Sequence, residues 1–518
     1  MKTEKAQQAD PMLELRYALP SRAHGDAREK LLYMLLQDAA DTKPVELDGH
    51  FRDRLPELVA VPDALARQVI AEAMQDAYWT RPKRVPYLVP YHSSFPLSFR
   101  LSRSVGGDYA EARYKLFSGA IIPFLCWRDG AVDKHLVGRL LDFMNDTRGF
   151  SLADRLMHRA VLSDQPERPT AADADVLVGR LGSEIAKELE ERPFCPFALV
   201  QFQEDLNVLL DRTARLPRRD VVDMLTELFS LHLATYYYRL AQVLGEQLDE
   251  AVAASADIEA PSPSCPCTSG LESCTLAGRI RFRVGSGGDR PVSRQDGCAT
   301  AYRDVDARRL HPLPATIATA NISQHIWAQL GGPSGPPSRP RLADLASELR
   351  RNDQFRAEFN VVAAGIAAIN SSLYDTAADP AAIAEEVARQ PNLFGLYSSI
   401  LASKRPHKED GRRVDRLKYH GRDVVNQLVK IAPTATLIRT RGSVIFYELD
   451  ERMLFLSVLL ICGVREVPFD TFVTKLRRYG LSPQDASERT RLADALERLG
   501  MLHRYSDAGE STYVHYPL

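Results

Sequence analysis

No run of eighteen or more apolar residues occurs in the 518-residue chain, so the pattern offers no transmembrane helix. The longest apolar stretch, Met453–Val464, is about as long as a buried core helix. The opening MKTEKAQQADPMLEL lacks the apolar core of a secretory signal, so a cytoplasmic protein with no membrane partner is expected. An excess of one charge is also missing: Lys and Arg total 66 against 68 Asp and Glu, a formal net charge of −2. This balance neither requires nor excludes nucleic acid, because a local basic face is enough to bind it. The seven cysteines are expected as reduced thiols or metal ligands, not disulfides.

Catalytic signatures are absent as well. There is no G-x4-GK[ST] phosphate loop, no G-x-G-x-x-G after a strand, no H-E-x-x-H and no G-x-S-x-G. The 12 histidines are dispersed. A nuclease built from distant carboxylates would leave little trace in sequence, so the expectation of a non-enzymatic protein rests on motifs alone.

What is present is a mainly α chain, 45% apolar and 26% charged, which is an ordinary globular composition. Its length exceeds one hydrophobic core and suggests about two to four domains. Helical spacing recurs at Ala27–Asp38, Pro62–Tyr78, Tyr109–Trp127, Val132–Met144, Ala171–Glu191 and Phe197–Leu210. Val221–Ala254 is the longest uninterrupted helical pattern, with no proline, and is expected to be the spine of a helical domain. Its triplet Tyr236–Tyr238 points in three directions on a helix, so packing is expected of it, not a single cluster.

Ser255–Asp306 is rich in Ser, Pro, Gly and Cys and contains a short strand pattern, RIRFRVGSGGDR. Gly331–Pro340 reads as a linker. Helical patterns resume at Leu342–Arg351, Asp353–Ile369, Pro380–Gln390 and Leu393–Ser403, followed by strands at Ala435–Arg439 and Val444–Glu448. The expected division is an N-terminal helical domain (1–254), a Cys/Gly/Pro-rich insertion and linker (255–340), a second helical region with a hairpin (341–450) and a terminal domain (451–518).

The terminal domain is the most specific reading. Met453–Gly463 is an apolar helix, and Pro468–Tyr479 is an amphipathic one closed by Gly480. A third helix, capped by Asp485 or Ser487, runs to Leu499 with Leu492, Ala495, Leu496 and Leu499 on its apolar face. A hairpin follows. Three helices and a hairpin in this order predict a winged helix. In the version that binds double-stranded DNA the third helix enters the major groove, which nominates Arg489 and Arg491, with Arg504 in the hairpin and Lys475, Arg477 and Arg478 at the second helix end. Many winged helices grip proteins instead, and Glu488, Asp494, Glu497, Asp507 and Glu510 dilute the positive charge here.

Three further constellations have two readings each. Cys265, Cys267, Cys274 and Cys298 are close enough in sequence to hold zinc through four thiolates, or they are free thiols in a loop. Lys404–Arg422 is the most basic segment, a solvated helix face or a phosphate-contacting surface. Ala77–Arg103 interleaves basic residues with aromatics, which anchor an irregular segment or stack on single strands.

The stretch LFSLHLATYYYRLAQVL at Leu228–Leu244, together with the terminal domain from Arg452, resembles accessory subunits of bacterial antiphage systems. The families are the helical subunits of methylation-associated defence systems and the DptG-like subunits of phosphorothioation-dependent restriction. The resemblance implies a subunit of a multi-protein complex working beside ATPase, methyltransferase or nuclease partners, and it transfers no functional residue. The alternatives are a kleisin-like chromosome-organising or replication adaptor and a divergent nuclease.

Overall fold

A computed structural model describes, in the main, residues 125–145, 195–259, 271–285, 310–332, 342–373, 392–402 and 432–517, with short breaks inside them. Short pieces at 63–68, 79–80, 87–88, 404–406, 413–415 and 425–429 are also described. The expected helices at Ala27–Asp38, Ala171–Glu191 and Pro380–Gln390, and Cys265, Cys267 and Cys298, lie outside the described residues.

The described helices are α1 (Lys134–Asn145), α2 (Pro196–Leu210), α3 (Arg218–Ser255), α4 (Leu313–Gln329), α5 (Leu342–Arg351), α6 (Asp353–Leu373), α7 (Leu393–Ala402), α8 (Glu451–Cys462), α9 (Phe469–Leu476) and α10 (Ala486–Arg498). Short strands complete the set: β1 (Trp79–Thr80), β2 (Tyr87–Leu88), β3 (Trp127–Arg128), β4 (Ala131–Val132), β5 (Arg283–Val284), β6 (Lys404–Pro406), β7 (Arg413–Asp415), β8 (Ile438–Arg441), β9 (Val444–Leu449), β10 (Val467–Pro468), β11 (Leu502–Tyr505) and β12 (Ser511–Val514). The protein is mainly helical, as its periodicity predicts.

Helix α3 is the spine. Its 38 residues span about 57 Å at 1.5 Å per residue. Every residue from Val221 to Leu240 is buried, including all three tyrosines of the triplet. Helices α2, α4, α5 and α8 pack around it. It ends at Ala256, with Asp257 in the left-handed region (φ 58°), a conformation that Asp tolerates better than most residues. The Asp257 carboxylate pairs with Arg356 of α6 at 3.1 Å.

One contiguous apolar cluster runs from Leu125 to Val514. Packing therefore crosses the compositional breaks near 254, 340 and 450. Outside it as polar ties, Gln203 Nε2 on α2 donates to the carbonyls of Leu125 (3.2 Å) and Trp127 (2.9 Å). Three scattered cysteines, Cys126, Cys195 and Cys462, are buried. Burial pushes the Cys462 thiol up to about 12 despite Lys475 nearby, so it packs as a small apolar residue.

Helix α4 has no counterpart in the sequence reading. Its first half, Leu313–Ala320, is buried throughout, so no polar face marks a helical period there; Asn321, Gln324, His325 and Gln329 give a less buried face only in the second half. The β-branched Thr316, Ile317, Thr319 and Ile322 lower its intrinsic propensity. Thr319 and Ser323 hydroxyls donate to carbonyls one turn back, at 2.8 and 2.7 Å, so their polar atoms are satisfied inside the core.

The strand expected in RIRFRVGSGGDR is β5, which pairs in parallel with β9. Strands β8 and β9 form the expected hairpin. Lys404–Arg422, read as a helix face, contains instead the antiparallel ribbon β6–β7. Within Ala77–Arg103, β1 pairs with β2.

From Asp450 onward the order is helix, strand, helix, helix, strand, strand. Asp450 caps α8 by accepting from the Met453 N–H at 2.9 Å, and Asp485 caps α10 through the Glu488 N–H at 2.8 Å. A single 3-10 turn, Arg477–Tyr479, follows α9 and is closed by Gly480 at φ 82°. A Cβ there would meet Ile280 Cδ1 at 3.0 Å, so glycine is needed for both conformation and space. Strands β10, β12 and β11 form one antiparallel sheet with β12 in the middle.

Candidate functional site

The nominated basic residues are all in the terminal region, and most are engaged by the protein itself. Arg489 pairs with Asp470 and lies 5.2 Å over the Phe469 ring, tying α10 to α9. Arg491 is half-buried on the same helix. Arg504 reaches Glu497 at 2.8 Å and Asp494 at 4.0 Å. Lys475 Nζ lies 3.5 Å from the Ile461 carbonyl, at the C-terminal end of α8 where a cation is favoured. Arg477 is exposed beside Gly278, and the Arg478 carbonyl accepts from Arg239 of α3. Cys274 is half-buried; the other three cysteines of the candidate zinc set are outside the described residues.

One side of the N-terminal turn of α10 is tied to residues 276–285 through Gln484 and the buried Glu488, while Ala486, Ser487 and Arg489 stay exposed. Ile280 N–H donates to the Gly480 carbonyl at 2.8 Å, and Gln484 Nε2 donates to the Gly278 carbonyl at 2.7 Å. Arg281 pairs with Glu488 at 2.9 Å, and Glu488 also accepts from the Gln484 N–H at 2.6 Å. Residues 276–285 thus run as a strap from the terminal region to β9, anchored by its own buried Leu276, Ile280 and Phe282.

A second constellation, not nominated from the sequence, fastens the terminal region to the spine. Asp205 of α2 accepts at one oxygen, Oδ2, from two directions: His232 Nε2 at 2.9 Å and the Tyr479 hydroxyl at 2.8 Å. Their exposures are 6%, 5% and 4%, so the cluster is sealed from solvent and serves as a fastening. Burial, then the Asp205 carboxylate, hold the Tyr479 phenol well above its ordinary pKa, which keeps it a hydrogen-bond donor. Phe202 and Tyr479 both meet the His232 ring edge-on, at 5.2 and 5.7 Å.

The same logic extends along α3. Glu227, 1% exposed, accepts from Arg452 Nε at 2.5 Å, with Asp223 at 3.4 Å. Burial works against the Arg452 charge, but Glu227, Asp223 and Asp220 outweigh it and raise its pKa. Ser230 Oγ accepts from the Leu437 N–H at 3.1 Å, and Glu250 pairs with Arg350 at 2.8 Å. Ser255 accepts at its carbonyl from Asn360 (2.8 Å) and at its hydroxyl from the Leu393 N–H (3.3 Å). The signal that would have found these residues is a set of polar side chains on a helix otherwise apolar all round. Buried polar groups need partners, so each one marks an attachment.

Fold and seam together define a helical protein organised on one spine. A family model described as methylation-associated defense system protein MAD7 matches residues 178–275. The chain resembles methylation-associated defence subunits over this stretch, which contains α2 and α3 and ends at the strap. No curated protein matches the chain.

Proposed function

We propose that the protein is a non-enzymatic subunit of a multi-protein, methylation-associated antiphage system, and that residues 451–518 are a winged helix held rigidly on its spine to meet a partner subunit. The observation that carries this reading is the direction of the buried polar contacts. Asp205, Asp223, Glu227, Ser230, Arg239, Glu250 and Ser255 all lie in the matched stretch, and each fastens an element outside it, with His232 holding Asp205 from within. A spine that spends its polar groups on holding other elements suits a scaffold. The helix and strand order after Asp450, with β12 between β10 and β11, supports the winged helix.

Partner binding is favoured over duplex reading because Asp470, Glu497 and Asp494 already pair with Arg489 and Arg504. Double-stranded DNA on Arg489, Arg491, Arg504, Arg477, Arg478 and Lys475 is the second reading. Zinc on Cys265, Cys267, Cys274 and Cys298, and a cytoplasmic location, belong to the same proposal.

Affinity purification of the full chain from cells carrying the whole system is the test. Stoichiometric recovery with an ATPase, methyltransferase or nuclease subunit of that system is expected, together with loss of phage protection when the chain is deleted. Recovery with a coiled-coil ATPase of chromosome organisation would replace the defence reading by the adaptor one. A labelled duplex bound at low salt, and released by the Arg489→Ala, Arg491→Ala double variant, would restore the DNA reading. Metal analysis of the purified chain checks for about one zinc for four thiolates.

A further inference from the structure

Strand alternation divides the terminal sheet into two faces. Leu502, Val514 and Val467 are buried on one. His503 and Tyr505 on β11 fall on the other, where Tyr513 of β12 stands in register with His503. His515 follows β12, and Glu466 precedes β10.

These five side chains meet. The Tyr505 hydroxyl lies 3.2 Å from each carboxylate oxygen of Glu466, and His503 Nδ1 lies 3.9 Å from one of them. The Tyr505 and Tyr513 rings are edge to face at 5.6 Å, and the His503 and His515 rings lie 3.9 Å apart. Tyr505 remains 49% exposed and the Glu466 side chain 46% exposed, so the carboxylate and the ring faces are open to a partner.

An accessible carboxylate held beside electron-rich rings recognises a cation. Ring faces attract a guanidinium or ammonium group, and the carboxylate adds a charged hydrogen-bond acceptor. Arginine suits the geometry better than lysine, because its planar head stacks on an aromatic ring while its fork reaches both carboxylate oxygens. A phosphate backbone meets a charge of its own sign, the Glu466 carboxylate, on this face. Arg504, the cation of the hairpin, alternates to the other side and pairs with Glu497.

We propose that this face of the terminal sheet is the docking site for an arginine side chain of a partner protein, paired with Glu466 and stacked against Tyr505 and Tyr513. The proposal rests on the partner-binding reading above and names the chemistry of the contact.

The experiment uses the full chain labelled with 3-fluorotyrosine, with Tyr505 and Tyr513 signals assigned by single Tyr→Phe variants. The probe is the peptide acetyl-Gly-Arg-Gly-amide, with its Lys and Glu analogues and a single-stranded oligothymidine as comparisons. Saturable shifts of both signals with the Arg peptide are expected, about tenfold weaker in Glu466→Gln, weaker with Lys and absent with Glu. No saturable shift, or an equal response in Glu466→Gln, overturns the proposal. Shifts produced by the oligothymidine and not by the Arg peptide overturn it in favour of base stacking. Because the peptide needs no other subunit, this result is independent of whether the chain purifies in a defence complex. Glu466 is exposed, so Glu466→Gln is expected to fold as the parent, and an unchanged unfolding transition confirms that.

Discussion

The spine helix and the outer face of the terminal sheet use the same kinds of side chain for opposite ends. On α2 and α3, Asp205, His232 and Glu227 are buried, and their partners come from the protein itself. On the sheet, Glu466, His503 and Tyr505 form a similar carboxylate–imidazole–phenol group, but about half of each remains open. A buried polar group without its partner is costly, whereas an exposed one falls back on water. The comparison teaches that polar residue types do not tell a fastening from a binding site. Exposure does.

The sharpest way to break this contrast is Asp205→Ala. It strips the acceptor from His232 and Tyr479 at once, and a loss of about 3–5 kcal/mol is expected from chemical denaturation. A loss below about 1 kcal/mol would mean that the cluster is not a fastening. Tyr479→Phe removes one donor and leaves His232 in place, with an expected cost of about 1–3 kcal/mol. Hydrogen exchange should then rise in 451–517 more than in α2 or α3, since this bond crosses the seam.

A smaller effect depends on pH. Burial, and then the neighbouring His503, hold the His515 imidazole below its ordinary value, while Glu466 opposes them. The unfolded chain therefore takes up this proton before the folded one as pH falls. The contribution is complete above the ordinary imidazole value of about 6.5 and is lost progressively below it. His515→Gln should flatten that part of the stability profile.

The smallest effect is expected at Tyr237, which is fully buried and whose hydroxyl finds no hydrogen-bond partner among the described residues. Burial raises its pKa. Tyr237→Phe should be neutral or stabilising by up to about 1 kcal/mol in a melting experiment, the opposite of the same substitution at Tyr479.

Much of the local structure was legible from residue order. The proline-free pattern at Val221–Ala254 marks α3 to within a few residues, and Asp485 and Gly480 mark helix ends through capping chemistry. These signals act within one helical turn, so a linear reading reaches them. Helix α4 was not legible, because its first half is buried throughout and the polar face that reveals a period appears only from Asn321 on. The strap was not legible either. Its sequence is rich in glycine and arginine, and only the approach of Gly480 and Glu488, about two hundred residues away, turns it into a buried connection.

For the site, the sequence directed attention to the terminal arginines by residue type, and it placed them correctly on the third helix and hairpin. Which of those charges already have partners depends on Asp470, Glu497 and Asp494, whose distances no spacing rule supplies. The sequence by itself determined the helical character of the chain, the long spine, and the three helices and hairpin after Asp450, though not strand β10, because these follow from local propensity, capping and period. The tertiary structure alone decided that Asp205, His232 and Tyr479 meet, that a strap is tied to the start of α10, and that Glu466 stands open among aromatic rings. Contacts between distant residues depend on how elements pack, and packing is a property of the whole core, beyond the reach of any one segment.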